Sequence, residues 1–201
     1  MPPDTPASAG LTQPTRPPIE IDTPRLRLRQ WRASDVLPFA AMNADPRVME
    51  YFPELMRPSE SRAVARRIRE LIAQRGWGLW AVEVRSGARF IGFVGLHVPA
   101  PDLPCSPCVE IGWRLAPAFW GRGYATEAGR AVLEAAFTRL GLDEVVSFTA
   151  LPNLRSQAVM QRLGMRRALT TFEHPAVPPG SPLRRHVLYR IRREDWAAAQ
   201  R

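Results

Sequence analysis

The segment Phe119–Phe137, FWGRGYATEAGRAVLEAAF, sets two glycines around an arginine and follows them at once with an alanine-rich helical pattern. The first turn of a helix carries N–H groups with no intrahelical partner and the positive end of the helix dipole. Anions bind there, phosphates above all, provided that side chains leave the backbone open. Gly121 and Gly123 remove those side chains, and Ala125 keeps the next place small. A helix start with glycines for tight packing is the plainer alternative.

Two common phosphate loops fit poorly. The P-loop needs a lysine after its last glycine, and the chain has no lysine at all. The dinucleotide fingerprint wants a small residue where Thr126 stands and an acidic residue closing the next strand. That strand, DEVVSFTAL, ends in Thr149, Ala150 and Leu151.

Outward from the glycines, the chain alternates strand and helix patterns. In TPRLRLRQW, Leu26 and Leu28 alternate with Arg25, Arg27 and Arg29, the period of a half-buried strand. SDVLPFAAMNADP opens with Ser34 and Asp35 as cap candidates and ends before a proline, which predicts a short helix. From Ser59 to Arg75, Val64, Ile68, Leu71 and Ile72 mark one face of a second helix, closed by Gly76. GLWAVEVRSGARFIGFVGLHV reads as two strands around a Ser-Gly turn. CVEIGWRLA is a strand leading into the glycine segment, whose helix is expected from about Gly123 to Leu140. DEVVSFTAL follows as a strand, and NLRSQAVMQRL as a helix stopped by Gly164. RRALTTF and RRHVLYRIR predict two last strands, separated by a proline-rich loop from His174 to Pro182. This order predicts an α/β (α+β) fold, with a mixed sheet of about seven strands and helices on both faces. The strands flanking the glycine-segment helix should be parallel, because a strand–helix–strand crossover returns in the same direction.

Composition narrows the function classes. The 201 residues are 45% hydrophobic and 23% charged, the profile of a globular protein, and no apolar run is long enough to span a membrane. Residues 1–18 are proline-rich and polar, which predicts a disordered tail ahead of one domain over 19–201. That tail has no apolar stretch for a signal peptide, so the default location is cytoplasmic. The net charge is +9, carried wholly by arginines scattered along helix faces, which argues against a nucleic-acid-binding patch. Cys105 and Cys108 form a C-x-x-C in a proline-broken loop, with no second pair or histidine cluster to complete a zinc site, so no metal is expected.

The chain from about Pro18 onward resembles the GNAT superfamily of acyl-CoA N-acyltransferases, in the branch of the ribosomal-protein N-terminal acetyltransferases. The matching pieces are TPRLRLRQWRASDV, DPRVMEYFP, FIGFVGL, EIGWRLAPAFWGRGYATEA and NLRSQAVMQRLGM, in the family's order and spacing. In the family's pyrophosphate loop, Q/R-x-x-G-x-G/A, Gly123 and Ala125 match and Trp120 stands where Gln or Arg is usual. The resemblance implies a mostly antiparallel, splayed sheet with acetyl-CoA as co-substrate in the cleft where two parallel strands part. It implies that backbone groups of Trp113, Arg114 and Leu115 pair with the pantetheine arm. It assigns the pyrophosphate to the N–H groups of Gly121, Arg122, Gly123, Tyr124, Ala125 and Thr126, with the Arg122 side chain along the phosphates. Asn153 would hydrogen-bond the pantetheine.

Acetyl transfer to an amine needs the neutral amine, and only about 0.1% of a lysine-like amine is neutral near pH 7.4. Glu110, on the strand before the glycine loop, is the candidate base, since a half-buried carboxylate is costly unless paired or used. A salt bridge to one of the arginines is the competing role. Ser156 is the candidate acid for the departing thiolate, from the place some relatives use; a hydroxyl in a first helical turn also caps it. His186 and Tyr189 fall on opposite faces of the last strand, and Phe52, Trp77 and Trp80 either wall the acceptor site or fill the core. Glu50, Glu54 and Glu173 are candidates for an acidic lining. The expected activity is an acetyl-CoA-dependent N-acetyltransferase acting on a primary amine, a protein N-terminus or a small molecule, as a monomer or homodimer. A non-catalytic acyl-CoA sensor is the alternative.

Overall fold

The chain enters its sheet with a two-residue strand, β1 (Ile21–Asp22), and turns back as β2 (Leu26–Arg29). A computed structural model describes residues 17–200; the predicted tail lies, through residue 16, outside the described residues. Leu26 and Leu28 are buried, as their alternation requires, but Arg29 is buried as well. Its guanidinium meets Asp35 at 2.7 Å and Glu83 at 2.7 Å, so the strand's polar side is closed over by an ion-pair network. A 3-10 turn at Ala33–Asp35 then leads into α1 (Val36–Asn43), with the Asp35 carboxylate accepting the Arg32 backbone N–H.

After a single turn, α2 (Pro46–Met49), comes the long amphipathic α3 (Pro58–Arg75). It ends where Gly76 adopts φ 79°, the left-handed cap that glycine accepts without penalty. The hairpin follows as β3 (Leu79–Val84) and β4 (Gly92–His97), then β5 (Glu110–Leu115). The glycine segment forms α4 (Tyr124–Glu134), a little shorter than its sequence pattern, because the helix widens into a π-turn over Ala135–Arg139. There Leu140 N–H reaches back to the Ala135 carbonyl, and the Thr138 hydroxyl donates to the Glu134 carbonyl. β6 (Glu144–Ala150), α5 (Leu154–Arg162), β7 (Arg166–Glu173) and β8 (Arg185–Arg192) complete the plan, and a short α6 (Arg193–Ala198) follows.

The sheet has eight strands in the order β1-β2-β3-β4-β5-β6-β8-β7; the one beyond the expected seven is the two-residue β1. All pairings are antiparallel except β5 with β6, which are parallel. β5 pairs with β4 along its whole length, from Gly92↔Leu115 to His97↔Glu110. With β6 it shares only the Glu110↔Val146 step, and beyond that point the two strands part. The sheet is therefore splayed at its middle, and the backbone edge of β5 faces a gap. That gap opens at the C-terminal ends of the two parallel strands, the place where open α/β sheets bind ligands.

The core runs beneath this gap. Trp31 packs edge-on against Phe39 with ring centroids 5.0 Å apart, and Phe90 and Phe93 complete the aromatic cluster. Trp80 is fully buried and spends its indole N–H on the Ile19 carbonyl. Tyr189 is buried beside Gln157, and so belongs to the core.

Candidate active site

A cleft of about 1600 Å³ follows the gap between β5 and β6 and runs on beneath the α1–α3 connection. Sites for single small ligands usually measure roughly 300–1,000 Å³, so this one has room for a large co-substrate and a second molecule. Its wall carries Glu110, Gly123, Asn153 and Ser156.

The glycine loop lies where β5 ends. Gly121 and Gly123 have φ of 71° and 79°, conformations that cost an L-residue with a side chain roughly 1–2 kcal/mol. Among the described residues, no backbone acceptor takes the N–H groups from Gly121 to Thr126; the first bond of α4 is Glu127 N–H to the Gly123 carbonyl at 3.0 Å. A Cβ on Gly121 would meet nothing within 4 Å, so the space before these donors is open. A row of free donors on a helix dipole fits a diphosphate. Arg122 does not line the cleft: its guanidinium sits over the Phe119 ring, 5.8 Å from the centroid. The cation at the loop is Arg25 from the β1–β2 turn, whose Nη1 donates to the Arg122 carbonyl at 3.0 Å and whose guanidinium lies 4.8 Å from the Tyr124 ring centroid. Glu127 holds Arg25 there, accepting from its Nε at 2.6 Å and from the Thr23 hydroxyl at 2.6 Å. Trp120, in the loop's atypical first place, donates its indole N–H to the Leu115 carbonyl at 2.7 Å, which ties the loop to the end of β5 and occupies that carbonyl. Trp113 and Arg114 precede it on the strand edge facing the gap.

Glu110 is buried at the last step where β5 touches β6. Burial holds its carboxyl well above the usual carboxylate range, and the Phe148 backbone amide opposes that rise only in part. Its nearest ionisable partner is His97, directly across the β4–β5 ladder, with Nε2 3.2 Å from Oε2. Burial, with Arg75 adding repulsion, lowers the His97 pKa, so both groups favour their neutral forms. The carboxyl and the imidazole thus lie in close contact while each is biased toward its uncharged form. Among the described residues, the arginine salt bridge that competed for Glu110 does not form. The buried His97 Nδ1 has no partner.

Asn153 caps α5: its Oδ1 accepts the Ser156 backbone N–H at 3.2 Å, and its Nδ2 donates to the Thr149 hydroxyl and the Ser156 hydroxyl at 2.9 and 3.2 Å. Ser156 accepts with its oxygen, so its own proton is free for a group in the cleft. His186 lies on the cleft wall, stacked on His174 with centroids 4.7 Å apart, while Tyr189 is in the core. All three histidines of the chain line this one cleft. Phe52 lies over Arg114 at 4.1 Å. Glu50, Glu54 and Glu173 do not line the cleft; Glu50 pairs with Arg155, and Glu173 with Arg184 at 3.0 Å.

Sequence patterns missed Arg25, His97 and His174. Each is a single residue whose nearness to the site comes from strand pairing or a hairpin loop, and nothing in local spacing signals it. Only the cross-strand partner of Glu110 was in reach, had the hairpin register been known. Cys105 and Cys108 are free thiols 3.7 Å apart, and burial pushes the Cys108 thiol up to about 12, far from a reactive thiolate. Among the described residues no cluster of acids, histidines and cysteines could hold a metal ion, and no helix is long and apolar enough to cross a membrane.

A family model described as "Acetyltransferase (GNAT) domain" matches residues 25–166, and the chain belongs to that family of acetyltransferases. The FsC-acetyl coenzyme A-N(2)-transacetylase of Aspergillus fumigatus is 38% identical over 130 residues, covering 63% of this chain and 54% of that protein. The chain thus spans about half the length of that relative. An uncharacterized N-acetyltransferase of Bacillus subtilis, YnaD, is 27% identical over 179 residues, 89% of this chain and 99% of its own. Among solved structures, a GNAT-family acetyltransferase from Bacillus anthracis has a TM-score of 0.73 at 24% identity, covering 88% of this chain and 99% of that one. RimL, a ribosomal L7/L12 alpha-N-protein acetyltransferase solved with coenzyme A, has a TM-score of 0.69 at 16% identity, covering 87% and 98%. At these identities the two structures speak for the fold alone.

Proposed function

We propose that this protein is an acetyl-CoA-dependent N-acetyltransferase that acetylates a primary amine by direct transfer, with Glu110 as the base. The observation that carries this is the meeting, in one cleft, of an open row of N–H donors at Gly121–Thr126 with a buried Glu110 whose pKa is raised by that burial. By its motifs the chain resembles the branch of ribosomal-protein N-terminal acetyltransferases, and RimL shares its fold.

Acetyl-CoA, when bound, supplies a thioester as acetyl donor. The donors of the glycine loop would hold its diphosphate, with Arg25 alongside, and the open edge of β5 at Trp113 and Arg114 would accept the pantetheine arm. Glu110 takes the ammonium proton of the acceptor, directly or through a water, once it has released its own. In that state the Phe148 backbone amide and the His97 imidazole, 3.2 Å away, would stabilise the charge. The freed amine forms the N–C bond as the C–S bond breaks, the nitrogen gives up its second proton to water, and the sulfur leaves with its electron pair. Ser156, whose O–H has no acceptor in the Asn153 network, would return a proton to the sulfur and regain one from water.

The test is thiol release from acetyl-CoA against a panel of amines, run with wild type and Glu110→Gln. Turnover on one amine class that falls sharply in the variant, with acetyl-CoA still bound, supports the proposal. Tight coenzyme binding without turnover on any amine would instead favour a non-catalytic acyl-CoA sensor.

A further inference from the structure

Arg29 is fully buried and Arg114 half-buried with its Nε sealed, and the two are treated in opposite ways. Arg29 is matched by Asp35, Glu83 and two backbone carbonyls, and its pKa is raised. Arg114 has no acidic partner among the described residues. Its Nη1 donates to the Asn43 amide oxygen at 2.7 Å and touches the Met56 sulfur at 3.8 Å. Its Nε–H is sealed from water with no acceptor, and no protein group takes its Nη2–H. Desolvation with nothing to offset it draws the guanidinium down to about 10.

A cation removed from water without a counter-charge is a cost that folds avoid. Here it stands on the cleft wall, held by an Asn43 that is itself buried and anchored to Ser61. Arg114 shares one face of β5 with Glu110, and the residue between them on that face is Gly112, where a Cβ would meet nothing within 4 Å. The two side chains therefore look into one bare-floored space. Nη2–H, which is not sealed, lies parallel to the sealed Nε–H on one edge of the guanidinium, and a carboxylate that displaces what covers Nε would take both as a fork.

We infer that Arg114 binds a carboxylate of the acceptor, so that the substrate is a primary amine carrying a carboxylate on the same molecule. The inference rests on the N-acetyltransferase reading above and names its acceptor class. The acid arrives with the substrate, which is why the fold supplies none. The acids at Glu50 and Glu173 that might have received a polycation do not line the cleft and are paired with Arg155, which does, and with Arg184. Glu110 and Arg114 lie four residues apart on the strand, about 13 Å between Cα atoms. That span leaves room for several bonds, or a water, between the acceptor's amine and its carboxylate.

The experiment compares amino acids of increasing amine–carboxylate separation with their carboxamides and with the amines lacking the carboxyl group. The wild type should favour the carboxylate by about 100-fold in kcat/KM at its preferred spacing, since a site built to bond a group rejects the analogue without it. Arg114→Met should shrink that preference to within about threefold, and Arg114→Lys, which keeps the charge but not the fork, should fall between. A second arm titrates N-acetylated amino acids and their carboxamides into the coenzyme A-bound protein by calorimetry, and needs no turnover. Carboxylate-selective binding that is lost in Arg114→Met supports the site even if the amine panel misses the acceptor. Equal use of carboxylate and carboxamide by the wild type, or a preference that survives Arg114→Met, overturns the assignment while leaving an N-acetyltransferase. No turnover on any amine and no carboxylate-selective binding would overturn both.

Discussion

The imidazole Nε2 of His97 lies 3.2 Å from Oε2 of Glu110, across a ladder in which the two residues are direct partners. Burial raises the pKa of the carboxyl and lowers that of the imidazole, so each is biased toward its uncharged form, and the imidazole is the close neighbour of the carboxylate formed when Glu110 loses its proton. His97 is a positioning residue here, acting through Glu110. Replacing it by Phe removes the donor that stabilises the carboxylate. The acidic limb of the kcat/KM–pH profile should then move up by about one unit while its plateau changes less.

The same shift has a stability consequence. A carboxyl whose pKa is raised in the folded state binds its proton more tightly there than in the unfolded chain. Its contribution is complete below the unfolded carboxylate pKa and is lost as pH rises through the raised value. Glu110→Gln removes that loss. The variant should lose about 10²–10⁴-fold in kcat, yet unfold at a higher temperature than wild type at pH 8 and near the wild-type temperature at pH 4. Calorimetric melting at the two pH values is the check, and a variant less stable at pH 8 would contradict the burial argument.

Gly123 carries both a left-handed backbone and the opening of the donor row. Gly123→Ala should cost roughly 1–2 kcal/mol in stability and weaken acetyl-CoA binding about tenfold, read by melting and by coenzyme titration. The Ala Cβ would also stand 3.5 Å from Arg25 Nη2, so Arg25 must hold its place for the loss to stay this small.

Ser156→Ala separates capping from chemistry. The cap of α5 is the Asn153 Oδ1 bond to the Ser156 backbone N–H, which the substitution leaves intact. Stability should change little, while kcat falls about tenfold or more if the hydroxyl returns the proton to sulfur. An unchanged kcat would assign that proton to solvent.

Asp35→Ala should be the most damaging of these changes to the fold. It strips the fully buried Arg29 of two carboxylate contacts, at 2.7 and 3.0 Å, and leaves the charge half matched. Breaking a buried pair costs about 3–5 kcal/mol, so a Tm lower by roughly 10 °C is expected in a melting curve.

Much of this molecule follows from local rules. The strand periods, the caps at Gly76 and Gly164, the Ser-Gly hairpin and the glycine-opened helix are written in spacings of a few residues, and the structure has each of them. Glu110 stood out for the same reason, as an acid where alternation calls for burial. The two-residue β1 and the single-turn α2 escaped because such short pieces carry no period. Arg29 was misassigned to a wet face because alternation counts one strand at a time and cannot see that Asp35 and Glu83 close over it.

By itself, then, the sequence determined the order of elements, the donor loop and the buried acid, because those depend on backbone geometry and neighbours within a turn or a strand. Tertiary structure alone decided the partners. It brought His97 to Glu110 through hairpin register, put Arg25 rather than Arg122 at the loop, and left Arg114 in the cleft without an acid. Long-range pairing and desolvation make those choices, since a charge is costly or useful only according to what the distant chain folds against it.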